Sequence, residues 1–207
     1  HANPELGFEE VYTSGRVVQA LELCGVDSIH TGLGKTGVVA LVHGAGYSAD
    51  RPGRMIGLRA DMDALPIDEA TGLPYASCNV GIMHACGHDL HMAMGIGAAQ
   101  LIAENKDQLK GNVVMFFQPG EEGHDGAGVM LSQDMHLASG EKPIAAYGIH
   151  VFSNDDPGVF SSRKGTMMAS AGDIIVTLKG RGGHGSMPWT AVDPITGMVE
   201  MLSSLQS

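Results

Sequence analysis

The sequence predicts an α/β fold, a mostly parallel sheet with flanking helices, followed by the start of a smaller α+β domain. Three observations carry this prediction. Apolar runs of strand length alternate with segments of helical period, the pattern of a parallel sheet joined by crossover helices. Residues 113–117, Val-Val-Met-Phe-Phe, are continuously apolar between Gly111 and Pro119, as a strand covered on both faces requires. From about residue 158 the extended segments turn short and alternating, the mark of a sheet with one wet face.

Residues 13–23 carry apolar positions at helical spacing and stop at Gly25, a C-terminal cap. Residues 37–43 and 54–60 read as strands. Residues 91–103 are rich in alanine and methionine, hold no proline and repeat with helical period, so a helix is expected there. A short helix is expected over 126–135 and a second buried strand over 144–152. Residues 158–162 and 173–178 have the look of half-wet strands, and 193–205 that of a helix with Pro194 in its first turn. The expected domains are therefore 1–169 and 170–207. The second has one strand and one helix, too little to fold alone, so a partial chain is expected.

Bulk properties narrow the class. A chain of 207 residues buries about 70% of what its unfolded form exposes, enough for a real core. The net charge of −11 is spread along the chain, which argues against nucleic acid or an anionic membrane as partner. No apolar run approaches the ~20 residues of a spanning helix, and no signal-peptide pattern opens the chain. Cys24, Cys78 and Cys86 are too few and too uneven for a disulfide framework, so a reducing, cytoplasmic setting is expected.

The chemistry concentrates in a few places. Met83-His84-Ala85-Cys86-Gly87-His88-Asp89 puts a thiol and an imidazole two residues apart ahead of the predicted helix. Gln118-Pro119-Gly120-Glu121-Glu122-Gly123 follows one predicted strand, Asp61 and Asp63 follow another, and His150 lies near the end of a third. Open α/β sheets bind ligands beyond the carboxyl ends of their strands. Thiolate, imidazole and carboxylate together suit a borderline divalent metal such as zinc. Adjacent glutamates on a turning backbone point in different directions, so one can bind metal while the other exchanges protons with water. Taken singly, each group has a plainer reading: Cys86 as a small buried hydrophobe, the glutamates as a solvated turn, His150 as a satisfied core residue. His84 and His91 are open between ligand, supporting and packing roles. The loop Gly180-Arg181-Gly182-Gly183-His184-Gly185 lacks the lysine and following helix of a phosphate loop. Gly34-Lys35-Thr36-Gly37 precedes a strand and fails the same test.

Six ordered motifs carry a resemblance. They are His1 through Glu10, Leu58 through Ile67, Met83 through Asp89, Gln118 through Gly123, Gly148-Ile149-His150-Val151 and Gly182-Gly183-His184-Gly185. Together they resemble the aminoacylase and hippurate-hydrolase branch of the metal-dependent amidohydrolase/carboxypeptidase family, which includes plant indole-acetyl-amino-acid hydrolases and bacterial N-acyl-amino-acid deacylases. The resemblance implies a catalytic domain with two co-catalytic divalent metals, Zn²⁺ or Mn²⁺ with Co²⁺ as an alternative, and a lid that also forms a homodimer. It implies Cys86, His88, Glu122 and His150 as metal ligands, with Cys86 bridging. Glu121 is implied as general base and acid, His184 as a lid group polarising the substrate carbonyl, and Asp63 as an aspartate that orients ligands. The implied reaction is hydrolysis of the amide of a small N-acyl amino acid. A related di-metal dipeptidase or deacetylase, or a non-catalytic metal-binding module, is the alternative. The family's last histidine ligand has no counterpart here, so these 207 residues alone are expected to hold at most one metal firmly and to be inactive.

Overall fold

The computed structural model describes residues 1–207 apart from 49, 51–52, 138–139, 141, 170–171, 173 and 206–207. It divides into two compact units, His1–Asp155 and Asp156–Ser207, ahead of the 169/170 border drawn from the sequence.

The first unit opens with α1 (Val11–Cys24), whose Val17 and Leu21 are buried and whose C-cap is Gly25 at φ 72°. Then follow β1 (Ser28–Leu33), β2 (Gly37–Val42), β3 (Met55–Asp61), α2 (His88–Glu104), β4 (Asn112–Gln118), α3 (Gly126–Ser132) and β5 (Ala145–Gly148). The strands form one sheet in the order β1-β2-β4-β3-β5. β3 pairs in parallel with both β4 and β5, while β2 runs antiparallel to both β1 and β4. The sheet is therefore mixed, where a mostly parallel one was expected. A tight turn through Gly34 and Lys35, both at positive φ, closes the β1–β2 hairpin and reverses β2.

β2 and β4 are buried along their whole length and alternate between two cores. Val38, Ala40, Val113, Met115 and Phe117 face α1 and α2, with Leu21 and Ala99 among their contacts. Val39, Leu41, Val114 and Phe116 face the other way, onto Met55 and Met130 of α3. α2 lies close on the sheet because residue 95 is glycine: a Cβ there would sit 3.2 Å from the Phe117 ring and 3.3 Å from the Ala60 methyl.

Two expectations change. The strand expected over 144–152 is only four residues long and is an edge strand, with Tyr147 60% exposed rather than buried. The strands expected over 158–162 and 173–178 do not appear among the described residues. The second unit holds a bridge between Arg181 and Val192 and the helix α4 (Pro194–Leu205). An extended segment without a ladder partner has no cross-strand hydrogen bonds to fix it as a strand.

Candidate metal centre

β3, β4 and β5 run the same way and end at Asp61, Gln118 and Gly148, so the segments that follow them emerge at one edge of the sheet. Asp63 follows β3, Glu121 and Glu122 follow β4, and His150 follows β5. The start of α2 brings Cys86 and His88 to the same edge. Gly87 stands between these two as N-cap in the left-handed conformation, φ 81°. A Cβ at this position would come within 2.5 Å of the Val151 side chain, so the turn needs glycine for both its dihedral and its space.

His88 is the hub. Its ring is 1% exposed, and Nδ1 donates to Asp63 Oδ1 at 3.2 Å, because a carboxylate can only accept. The ring proton is thereby assigned to Nδ1 and the lone pair to Nε2. That Nε2 is buried and has no hydrogen-bond partner. It lies 3.8 Å from Glu121 Oε2 and 3.9 Å from Glu122 Oε1. Cys86 Sγ and His150 Nε2 are 3.4 Å apart, and the other nitrogen of His150, Nδ1, donates to the Val151 carbonyl at 2.7 Å. One donor atom from each of Cys86, His88 and His150 lies within 4.8 Å of the others, and the same holds for His88, Glu121 and Glu122. Either group could hold a metal ion, and His88 belongs to both. An orphaned buried lone pair near a thiol, an imidazole and three carboxylates, the nearest of them Asp61 Oδ2 at 3.5 Å, fits a divalent metal with mixed soft and hard ligands.

Asp63 supports this arrangement from below. It is buried, and its Oδ2 accepts from the Glu122 N–H at 2.8 Å, so one carboxylate holds both the His88 ring and the glutamate turn. Burial pushes Asp63 up, but the His88 and backbone hydrogen bonds outweigh it and hold the carboxyl below its usual range. Burial opposes charge on His88, yet the Asp63 hydrogen bond and the charges of Asp61, Asp63 and Glu121 raise it. The Cys86 thiol is pushed up to about 12 by burial and by Glu122, Glu121 and Asp61 around it. Such a thiol stays protonated at neutral pH unless a cation replaces the proton.

The structure thus brings Asp63, Cys86, His88, Glu121, Glu122 and His150 together. His184 belongs to the second unit, on an exposed loop where its Nδ1 accepts from the Ser186 hydroxyl at 2.9 Å. Two carboxylates in the centre had no role in the sequence reading. Asp61 is 1% exposed and bonds the His91 ring and Arg59. Glu10 is fully buried, accepting from the Thr36 hydroxyl and from the Gly120 N–H just before the glutamate pair. Asp61 was visible as a strand-end aspartate two residues from Asp63. Glu10 appeared only as the last residue of the first motif, with no role of its own.

Comparison with known proteins agrees with this architecture. Residues 57–202 match the model of Peptidase family M20/M25/M40, and the chain belongs to that family. It is 41% identical to the IAA-amino acid hydrolase ILR1-like 5 of Arabidopsis thaliana over 206 residues, which is 100% of this chain and 45% of that protein. It is 41% identical to the N-acetyl-L-cysteine deacetylase of Bacillus subtilis over 207 residues, 100% of this chain and 47% of that one. A solved Bacillus subtilis structure, described as a dinuclear metal-binding peptidase of the M20 family, superposes with a TM-score of 0.66. It is 41% identical, and the match covers 74% of this chain and 41% of the other. The chain spans about half the length of the curated relatives it matches. No helix among the described residues is long and apolar enough to cross a membrane.

Proposed function

We propose that this chain belongs to a metal-dependent amidohydrolase that cleaves the amide bond of N-acyl amino acids, releasing a carboxylic acid and a free amino acid. The observation that carries the reading is the His88 Nε2 lone pair, buried without a hydrogen-bond partner and facing Cys86, His150, Glu121 and Glu122. The relatives named for hydrolysing an amino-acid conjugate and for deacetylating N-acetyl-L-cysteine support the substrate class.

In the complete protein, two divalent ions, zinc or manganese with cobalt as an alternative, would have Cys86, His88, Glu122 and His150 among their ligands. A bound metal supplies Lewis acidity and lowers the pKa of nearby water. The chain's own residues do the rest. Asp63 keeps the His88 proton on Nδ1 and fixes the Glu122 amide. Glu121, 41% exposed, is open to water and substrate. Its carboxylate takes a proton from water as the oxygen bonds to the acyl carbon. It then returns that proton to the nitrogen as the C–N bond breaks, so the amine leaves neutral. His184 is assigned to the substrate carbonyl oxygen. Residues 1–169 form the catalytic portion in this reading, and 170–207 begin a lid through which two copies associate. The three free cysteines support a reducing, cytoplasmic location.

The test is Glu121→Gln in the complete protein carrying this chain. Metal content should stay the same while turnover falls by about 10²–10⁴, the usual worth of a positioned acid–base group. Turnover close to wild type would remove Glu121 from the mechanism.

A further inference from the structure

We propose that His91 is a positioning residue that aims His150 into the centre through the Val151 backbone, and that it is not itself a ligand. The proposal rests on the metal reading above and assigns the direction of each bond in it. His91 is 3% exposed, on the first turn of α2. Its Nε2 lies 3.0 Å from the Val151 amide nitrogen, and a backbone N–H can only donate. Nε2 therefore presents its lone pair to Val151, and the ring proton sits on Nδ1, 2.6 Å from Asp61 Oδ1. Both nitrogens are committed. Asp61 Oδ1 is taken up by His91, while its second oxygen pairs with the Arg59 guanidinium at 2.7 Å and lies 3.5 Å from His88 Nε2. Asp61, His88 and His91 are close enough together to read as a third metal group, but both His91 nitrogens are already engaged, so His91 has no lone pair left for an ion.

What these bonds hold in place is the chain beside His150. The Val151 N–H is fixed by His91, its side chain packs against Gly87, and its carbonyl receives the His150 Nδ1 proton at 2.7 Å. Each link sets the next. Asp61 fixes the His91 tautomer, His91 fixes the Val151 peptide, and Val151 fixes the His150 tautomer. His150 Nε2 is then left as a lone pair 3.4 Å from Cys86 Sγ. Groups that orient ligands in this way carry metal affinity without touching the metal.

Two conservative variants separate the links. A glutamine side-chain oxygen reaches roughly where Nε2 lies and can accept from Val151, whereas an asparagine amide reaches only where Nδ1 lies and can serve only Asp61. Zinc affinity of the 207-residue chain, measured by competition with a chromophoric chelator, should fall about 10- to 100-fold in His91→Asn. In His91→Gln it should stay within about 3-fold of wild type. Co²⁺ bound to the glutamine variant should keep the wild-type thiolate charge-transfer and d–d bands. Circular dichroism on every variant checks that the fold is intact. Equal losses in both variants would overturn the proposal, because a packing residue or a direct ligand is served by neither replacement. No loss in either would overturn it too. His150→Ala is measured alongside. If it binds zinc as tightly as wild type, the metal reading of His150 itself fails. If it loses affinity while the two His91 variants match each other, only the positioning role fails.

Discussion

Removing the Glu10 carboxylate should destabilise the first unit more than any single surface contact could. Glu10 is the N-cap residue of α1, yet its side chain does not cap the helix. It turns inward, is 0% exposed, and accepts from the Thr36 hydroxyl at 2.5 Å and the Gly120 N–H at 2.9 Å. Glu10→Ala orphans both donors, and a buried unsatisfied donor costs about 1–3 kcal/mol. Relief of the buried charge returns part of that sum, since a carboxylate out of water is itself expensive. The net expectation is a loss of about 2–4 kcal/mol, or about 4–16 °C in Tm for a chain of this size. Glu10→Gln keeps the shape: its oxygen still accepts from Gly120 and its amide can donate to the Thr36 oxygen. Its cost should stay below about 1.5 kcal/mol, near that of one neutral hydrogen bond. Urea unfolding should be followed by far-ultraviolet circular dichroism, because the single tryptophan, Trp189, reports on the second unit. An alanine variant within about 0.5 kcal/mol of wild type, the scatter of ordinary surface changes, would refute the idea that Glu10 props the glutamate turn.

Two predictions concern protons. Asp61 and Asp63 have folded pKa values below their unfolded ones, so below about pH 4 the unfolded chain binds more protons. The metal-free chain should keep their full contribution above that pH and lose stability as pH falls further, and a flat denaturation midpoint between pH 5 and pH 3 would contradict this. Cys86, pushed up to about 12, should react far more slowly with iodoacetamide at pH 8 than the exposed Cys78, as peptide mass spectrometry can follow. Zinc binding should release the Cys86 proton and so tighten as pH rises; an affinity independent of pH would count against thiolate ligation.

The sequence made the core legible where burial is uniform. Residues 113–117 and 38–42 are apolar at every step, so β4 and β2 stood out whatever their direction. β1 was missed because Ser28, His30 and Thr31 give it the face of an exposed edge strand. The 144–152 run misled for the opposite reason: it is largely apolar apart from His150, but only its first part pairs with β3, after which the chain leaves the sheet and carries His150 to the centre. Strand ends marked where candidate ligands would gather. The supporting contacts were less visible, because they depend on pairs such as Glu10 with Gly120 or His91 with Val151 that no spacing rule connects. A carboxylate beside glycine and aromatic residues reads as solvated until its two donors, Thr36 and Gly120, are seen.

The parallel ladders also set the order of assembly. Ile56 of β3 pairs with Val113 and with Ala145, residues far along the chain. Parallel pairs of this kind close long loops before their contacts reward them, so they form late. The edge that gathers Cys86, His88, Glu122 and His150 is therefore expected to form after α1, α2 and the local β1–β2 hairpin. A divalent ion present from the start meets scattered thiol and imidazole groups first, and every ion held there favours the unfolded chain over the native one. Refolding with metal added after the sheet has closed should give the higher yield of correctly loaded protein.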